Sequence, residues 1–266
     1  YDDYNAAGAE WIPIPLVSQQ LKDMGISGGE GGQICTGVTG DSENAQLLLG
    51  FTDAEGLFRS TDGGKNWENS SRGLNGGGAQ YAAIDPNNKN RVLVISAGQY
   101  HMASPDGSGI YLSEDMGYSF KQKTRFCIDG NYAVGFFDTI AYDPSSYDEK
   151  IGGSAVAYWV TASYLEGESH NTNELLVKKG INDGYGLYKT VDGGETWKRV
   201  NSDLYNGIIK VHPTNGIVYA ANDNGLFVSK NGGETFTQTY RGYVGGLDVI
   251  KTRPDNVYIS NNTGVL

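Results

Sequence analysis

Short apolar, β-rich runs recur along the chain, separated by turns rich in glycine, proline, asparagine and aspartate. Three of the runs, "RVLVIS", "SAVAYWV" and "GIVYAA", follow segments that end in proline: "AAIDP" (82–86), "IAYDP" (140–144) and "IKVHP" (209–213). Apolar runs of this length bounded by turn residues predict buried strands, with the proline marking the turn between two of them. The pattern therefore predicts an all-β fold of short antiparallel strands.

A second pattern of eight residues occurs four times, each time after a glycine-led apolar segment such as "GLFR" (56–59). It places a hydroxyl residue first, an acid or amide third, a glycine fifth and an aromatic residue eighth. The positions in question are Ser60, Asp62, Gly64 and Trp67; Ser113, Asp115, Gly117 and Phe120; Thr190, Asp192, Gly194 and Trp197; and Ser229, Asn231, Gly233 and Phe236. We call each copy an Asp box.

The two patterns combine into one repeating unit. Each unit contains strand A, a proline-marked turn, strand B, a loop, strand C, the box and strand D. Four-stranded units that repeat at about 40 residues or more are typical of β-propeller blades. We expect a single propeller domain over 1–266, with blades at about 30–72, 78–125, 132–201 and 205–240 and a partial blade at 243–266.

The boxes have an interpretation that needs no ligand. An Asp or Asn at the third position can accept hydrogen bonds from backbone amides two residues on, and glycine adopts positive φ at little cost. The rival interpretation, four calcium or sugar sites, lacks the dense series of oxygen ligands that calcium requires. We therefore expect turn-forming boxes in the C–D connections, no metal site and no cofactor.

The ends of the sequence leave two arrangements open. Gly264, Val265 and Leu266 correspond to the segment that precedes every box, and "WIPIPLV" (11–17) resembles text that follows a box. We expect the chain to be part of a longer polypeptide, with its blades belonging to a seven-bladed propeller. The alternative is a five-bladed ring closed by residues 11–17, which would remove exposed sheet edges.

Composition narrows the range of partners. The formal charge of −11 disfavours nucleic acid and anionic membrane surfaces, and the longest apolar run, "AVAYWV" (155–160), is too short to span a bilayer. A neutral partner, with no nucleic acid and no membrane insertion, is the simpler expectation. The two cysteines, Cys35 and Cys127, form either one disulfide or, as we favour, two small buried thiols.

If the boxes lie in the C–D turns, the B–C connections lie on the opposite face. Two of these, "AGQYHMASPDGS" (97–108) and "TASYLEGESHNTNELLVKKGINDGY" (161–185), are too long for simple hairpins. Long loops on a rigid scaffold often carry binding residues. Aromatic rings for sugar faces and polar groups for hydroxyls single out Tyr100, His101, Tyr164 and His170 as substrate-binding candidates. Trp159 and Phe137 are expected in the core instead.

The segment "LLLGFTDAEGLFRSTDGGKNW" (47–67) resembles the first blade of the family 74 glycoside hydrolases, the xyloglucanases. "GGEGGQICTGV" (28–38) is similar to that family's glycine-rich entry into the blade, and Trp11 lies where its opening tryptophan would. The likeness covers about residues 11–125. The family's Gly-Gly pair after Thr-Asp is only half kept, as Ala54-Glu55-Gly56.

The resemblance implies a mechanism. In that family two aspartates from two propellers hydrolyse a β-1,4-glucan with inversion, one acting as acid and the other as base. The base position falls on Asp53, and the acid has no match, so a second propeller domain or the remaining blades would have to supply it. It also implies a neutral polysaccharide such as xyloglucan as substrate and an extracellular or cell-surface location.

Two other functions compete with this hypothesis. A non-catalytic Asp-box propeller that binds a glycan or a protein fits the missing acid and the variable loops. A sialidase needs an arginine cluster, a tyrosine nucleophile and acids, and the arginines here lie mostly at strand ends or beside boxes.

Overall fold

The computed structural model describes residues 35–41, 45–52, 56–75, 78–96, 109–124, 127–128, 131–132, 139–161 and 186–265, together with Gln20 and Asp23. Residues 11–17, which would close a ring, and Phe137 lie outside them. Among the described residues, the backbone forms β-strands joined mostly by short turns.

The strands of the described residues form four four-stranded antiparallel sheets in the order A-B-C-D along the chain and one three-stranded sheet in the order A-B-C. The first blade contains β1 (Cys35–Gly40), β2 (Leu48–Thr52), β3 (Gly56–Ser60) and β4 (Glu68–Asn69). The second contains β5 (Ala79–Ile84), β6 (Val92–Ser96), β7 (Gly109–Ser113) and β8 (Lys121–Gln122). The third contains β11 (Thr139–Tyr142), β14 (Ala157–Val160), β15 (Leu187–Thr190) and β16 (Lys198–Asn201). The fourth contains β17 (Ile208–Val211), β18 (Val218–Asn222), β19 (Gly225–Ser229) and β20 (Thr237–Arg241), and the fifth β21 (Gly246–Ile250), β22 (Arg253–Asn261) and β23 (Gly264–Val265).

The inner strands of all five blades face one cavity of about 380 Å³, which is lined by residues of β1, β5, β11, β17 and β21. Sheets arranged side by side around a common centre define a β-propeller. The predicted fold class, four-stranded antiparallel blades with Asp-box turns, is confirmed.

Two short hairpins interrupt the regular order. β9 (Cys127–Ile128) pairs with β10 (Asn131–Tyr132), and β12 (Tyr147–Asp148) pairs with β13 (Gly153–Ser154) inside the A–B connection of the third blade. The apolar run "SAVAYWV" predicts one continuous strand, but strand B is only Ala157–Val160.

Strand B starts later than predicted because Ser154 is hydrogen-bonded to the preceding blade. The amide of Ser154 donates to Asp85 Oδ2 at 2.8 Å and its hydroxyl donates to Asp85 Oδ1 at 2.6 Å. Asp85 is almost fully buried, so these bonds satisfy a carboxylate that water does not reach. The extra hairpin therefore fastens the third blade to the second.

Consecutive blades pack through their sheet faces. Trp159 and Ala157 of β14 join a cluster with Leu93 and Ile110 of the second blade, whereas the alternate residues Tyr158 and Val160 join a cluster with β17 and β18 of the fourth. Side chains alternate between the two faces of a strand, so each central strand serves two interfaces. Trp159, expected in the core, is fully buried there, with its ring 4.6 Å from that of Tyr188.

All four Asp boxes adopt the same hydrogen-bond pattern. In the third box, the hydroxyl of Thr190 donates to Asp192 Oδ1 at 2.7 Å and accepts from the amide of Gly194 at 3.0 Å. Asp192 Oδ1 also accepts from the amide of Thr196 at 2.9 Å, and its Oδ2 accepts from the Thr196 hydroxyl at 2.5 Å. The carboxylate thus binds the amide four residues on, rather than the one two residues on that the sequence suggested.

The fourth box keeps this pattern with an amide in place of the acid. Asn231 Oδ1 accepts from the amide of Thr235 at 3.0 Å, and Asn231 Nδ2 donates to the Thr235 hydroxyl at 2.9 Å. The hydroxyl reverses its role from donor to acceptor, because it can do either. Negative charge is therefore not required for the turn.

In the three acidic boxes the hydrogen bonds lower the carboxyl pKa. The amide of Asn66, helped by the side chains of Asn66 and Ser60, holds the pKa of Asp62 at about 2 instead of 3.8. Partial burial raises the pKa of Asp115 and Asp192, but hydrogen bonds from Ser119 and Thr196 respectively outweigh it and leave both values below the ordinary one. Each carboxylate is stabilised in its charged form.

The boxes also contact the preceding blade. The amide of Phe120, at the end of the second box, donates to the carbonyl of Arg72 at 2.9 Å, and Arg91 Nη2 donates to the carbonyl of Gly193 in the third box at 2.7 Å. In the fourth box, Gly233 lies against the side chain of Leu187. The boxes therefore support blade-to-blade packing on the face of the A–B and C–D turns.

We predict that Asp62→Asn weakens the acid sensitivity of the fold. Because the folded-state pKa is depressed to about 2, Asp62 contributes stability that is complete above about pH 4 and is lost as the pH falls through 2. The substitution should lower the midpoint of urea unfolding at about pH 7 more than at about pH 2.5. Asn231→Asp is the matched control and should make unfolding more sensitive to acid. Equal shifts of the Asp62→Asn variant at both pH values would contradict this account.

Candidate functional site

The B–C connections of all five blades leave the scaffold at the face opposite the boxes. Strand B ends and strand C begins at the following pairs, or one residue away from the pair in the third blade: Thr52 and Gly56, Ser96 and Gly109, Thr161 and Gly186, Asn222 and Gly225, and Asn261 and Gly264. We call this set of ten residues the B–C rim. The rim is the structural frame of the predicted site.

A glycine opens or directly precedes every C strand of the rim, and each has positive φ, from 85° at Gly56 to 155° at Gly109. Two of them also lie against backbone of strand D. A Cβ on Gly186 would overlap the carbonyl oxygen of Asn201, and a Cβ on Gly225 would overlap that of Tyr240. Glycine is required at these two positions for space as well as for conformation.

The B-side residue of each rim pair is polar, and in four of the five pairs its side chain hydrogen-bonds at the turn, whereas Ser96 Oγ donates to the carbonyl of Gly78 at 2.8 Å. Thr161 Oγ1 accepts from the amide of Gly186 at 2.8 Å, and Thr52 Oγ1 donates to the carbonyl of Gly56 at 3.2 Å. Asn222 and Asn261 use their side-chain Oδ1 to accept backbone amides two residues on, at 2.9 and 2.8 Å. These bonds fix the points from which the connections leave.

The candidate residues from the sequence fall between the rim pairs. Asp53 lies between Thr52 and Gly56, Tyr100 and His101 in 97–108, and Tyr164 and His170 in 162–185. All five are outside the described residues, and their predicted roles stay predictions. The rim nevertheless places the attachment points of the three segments on one face of three consecutive blades.

Two exposed tyrosines on this side of the propeller were not among the candidates identified from the sequence. Tyr205 and Tyr243 lie in the D–A connections that follow the third and fourth blades, and their side chains are 41% and 45% exposed. Loop length was the criterion for candidate binding loops in the sequence, and both of these connections are short. The sequence did contain a sign of an anchored, exposed tyrosine, because a tyrosine stands directly beside an aliphatic residue in "DLYNG" and "RGYVGG".

Both D–A connections bind the rim through backbone hydrogen bonds. The amide of Asn206, next to Tyr205, donates to the carbonyl of Thr161 at 2.8 Å. On the next blade, the amide of Val244, next to Tyr243, donates to the carbonyl of Asn222 at 3.2 Å. The two tyrosines therefore lie on the same face as the B–C rim.

Other candidate chemistry is limited in the part of the chain that is described. Cys35 is a free thiol and is exposed, so the expectation of a buried thiol is wrong for it; the Cys127 side chain lies outside the described part. No group of three or more His, Cys, Asp or Glu residues in the described ranges is placed to hold a metal ion. Over the same ranges, no helix has the length and apolar character needed to cross a membrane.

Comparisons with known proteins agree with this architecture. The BNR/Asp-box repeat matches residues 58–69, which include the first box. The xyloglucanase Xgh74A of Acetivibrio thermocellus is 27% identical over 174 residues, which cover 61% of this chain and 18% of that protein. A xyloglucanase of Hypocrea jecorina is 24% identical over 247 residues, covering 89% of this chain and 26% of that protein. The chain is thus an Asp-box β-propeller with sequence similarity to xyloglucanases.

A solved structure supports the fold independently. The family 74 xyloglucanase from Xanthomonas campestris superposes with a TM-score of 0.60 at 17% identity, covering 86% of this chain and 34% of that one. At this identity the likeness concerns the fold alone. The chain spans between a sixth and about a quarter of the curated relatives it matches.

We predict that Gly225→Ala destabilises the protein much more than Gly264→Ala. Both glycines open a C strand, with φ of 149° and 146°, but a Cβ at Gly225 overlaps the carbonyl of Tyr240 while a Cβ at Gly264 has open space. Gly264→Ala should lower the free energy of unfolding by about 1 kcal/mol, because alanine disfavours this φ. Gly225→Ala should lower it by about 3 kcal/mol or more, because the Cβ overlap is added. Equal losses in the free energy of unfolding, measured by urea denaturation, would refute a role for backbone contact at the rim.

Proposed function

We propose that this chain is the glucan-binding propeller of a xyloglucanase-like glycoside hydrolase. Its substrate is a neutral β-1,4-glucan such as xyloglucan. The observation that carries the proposal is the sequence similarity to xyloglucanases, which extends over 247 residues in one relative. The proposal includes an extracellular or cell-surface location.

Asp53 is the proposed general base. Thr52 and Gly56, its described neighbours in the chain, lie at the B–C rim, where connections from successive blades reach the same face. An inverting mechanism needs a second carboxyl group roughly 6.5–9.5 Å away, so that a water molecule fits between the base and the anomeric carbon. In the proposal, a second propeller domain or further blades supply this acid.

Glu55 adds a second carboxylate beside the proposed base in the sequence. Two like charges that lie close together raise the pKa of at least one of them. A base must be deprotonated at the working pH, so Glu55 is expected to influence the pH dependence of hydrolysis rather than to replace Asp53.

A non-catalytic propeller that binds a glycan or a protein is the second candidate. It is favoured by the unequal B–C connections, which range from the pair Asn222 and Gly225, joined by two residues, to the segment 162–185. Variable loops on a uniform scaffold are typical of binding proteins whose partner is selected by the loops. The two candidates differ in whether sugar is released.

We predict that Asp53→Ala abolishes hydrolysis of xyloglucan by the longest natural form of the protein. Loss of a catalytic carboxylate should lower kcat by about a thousandfold or more, because general acid–base catalysis typically contributes 10²–10⁴-fold. The assay measures reducing ends released from xyloglucan, mixed-linkage glucan and carboxymethylcellulose.

The matched control is Asp223→Ala. Asp223 is an exposed acid in the corresponding B–C turn of the fourth blade, directly after the last residue of strand B. It should leave kcat within about twofold, as expected for a surface substitution. A wild-type protein that releases no sugar from any of the glucans would reject the hydrolase and favour the binding propeller.

A further inference from the structure

We propose that Tyr205 and Tyr243 form a sugar-binding ridge that holds a neutral glucan chain along the third, fourth and fifth blades. The ridge rests on the proposed function, because it names a second contact region for the same class of substrate. It lies on the face of the B–C rim, away from the Asp boxes.

The first observation in support is that both tyrosines are exposed next to a residue anchored in the core. Tyr205 and Tyr243 are each flanked by an aliphatic residue that is buried between blades, Leu204 at 5% exposure and Val244 at 3%. The neighbouring side chain anchors the connection in the core, while the tyrosine ring faces outward. The arrangement occurs twice, on consecutive blades.

The second support is the fixed backbone around Tyr205. Asn201 Oδ1 accepts from the amides of Asp203 and Leu204 at 2.9 and 3.0 Å, on one side of the tyrosine. On the other side, Asn206 has a φ of 53° and its amide donates to the carbonyl of Thr161. A left-handed residue held by a hydrogen bond gives the connection one conformation, so presenting the ring costs little entropy on binding.

The backbone around Tyr243 is fixed in a similar way. The amide of Gly242 donates to the carbonyl of Asn224 at 3.2 Å, and that of Gly245 donates to the carbonyl of Ser260 at 2.9 Å. A Cβ on Gly245 would lie 2.7 Å from the Tyr243 hydroxyl oxygen and 3.0 Å from Cε1. The hydroxyl-bearing edge of the ring therefore lies against the backbone at Gly245.

The third support is the polar surface beside the rings. Asn261 Nδ2 donates to the Tyr240 hydroxyl at 3.0 Å, at the boundary between the fourth and fifth blades. Amide and phenol groups match the hydroxyls of a sugar, and an aromatic ring matches the apolar face of a pyranose. Asp203 and Arg241, which lie on or beside the two connections, have opposite charges, which suits a neutral ligand.

The repeat on successive blades favours a chain-like ligand. A polysaccharide presents the same face at regular intervals, so weak contacts with successive blades add. Exposed tyrosines are also common in protein interfaces, which makes a protein partner the competing outcome. The glucan is favoured because the ridge shares its face with the rim that frames Asp53.

The test is binding of xyloglucan and of its oligosaccharides to this chain, measured by isothermal titration calorimetry. Tyr205→Ala and Tyr243→Ala should each weaken binding about fivefold or more, and the Phe variants, which keep the ring, should stay within about twofold of wild type. Tyr147→Ala is the control, because Tyr147 is 60% exposed but belongs to the A–B hairpin on the opposite face.

Three results would overturn the ridge: a wild-type chain that binds none of these glucans, Ala variants that bind as well as wild type, or Phe variants that lose as much as Ala variants. A protein partner whose binding depends on the two tyrosines, without glucan binding, would assign the surface to that partner instead. The hydrolase proposal is judged separately, because it depends on kcat and Asp53. The outcome of the tyrosine test therefore does not decide the outcome of the Asp53 test.

Discussion

The structure depends on burial of both faces of the central strands of its blades. β14 shows this clearly, since alternate residues along four positions enter two different clusters, one shared with the second blade and one with the fourth. A sheet buried on both sides loses stability if either neighbour moves, because both sets of apolar side chains then meet water. The blades therefore hold each other in place, and the spacing between them is set by side-chain volume.

As a result, the two faces of the propeller have different roles. On one face the boxes and the A–B turns fill the spaces between blades, where Arg91 Nη2 donates to the backbone and Asp85 accepts from a hydroxyl of the third blade. On the other face the rim glycines allow strand D to approach strand C closely, and the connections beyond them are free to differ in length. A uniform frame can in this way carry connections from two residues to the segment 162–185 without altering the core.

The fold was predictable from the sequence because its signals are local and repeated. A box needs only eight residues, and the apolar run of a B strand needs only four to seven, so both can be recognised directly in the sequence. The hairpin containing Ser154 was missed because the partner of Ser154 is Asp85, which is distant in the sequence. Spacing within one blade carries no information about that contact.

The candidate site was predictable only in its position. Topology places the ends of the B strands on one face, which is a consequence of the repeat, but the chemistry proposed for Asp53 depends on groups that the local sequence does not identify. Tyr205 and Tyr243 were missed for a related reason, since their exposure follows from the burial of Leu204 and Val244 on the neighbouring blade. Which of two adjacent apolar residues faces water is decided by tertiary packing.

We propose that the face of the B–C rim binds neutral glucan, while the box face supports the scaffold. Hydrogen–deuterium exchange of this chain with and without xyloglucan tests it most directly, because it locates the ligand without assuming which residue is catalytic. The account predicts slower exchange in peptides that contain 202–207 and 242–245, and unchanged exchange in the boxes at 113–120 and 190–197. Protection confined to the boxes, or none anywhere, would contradict it.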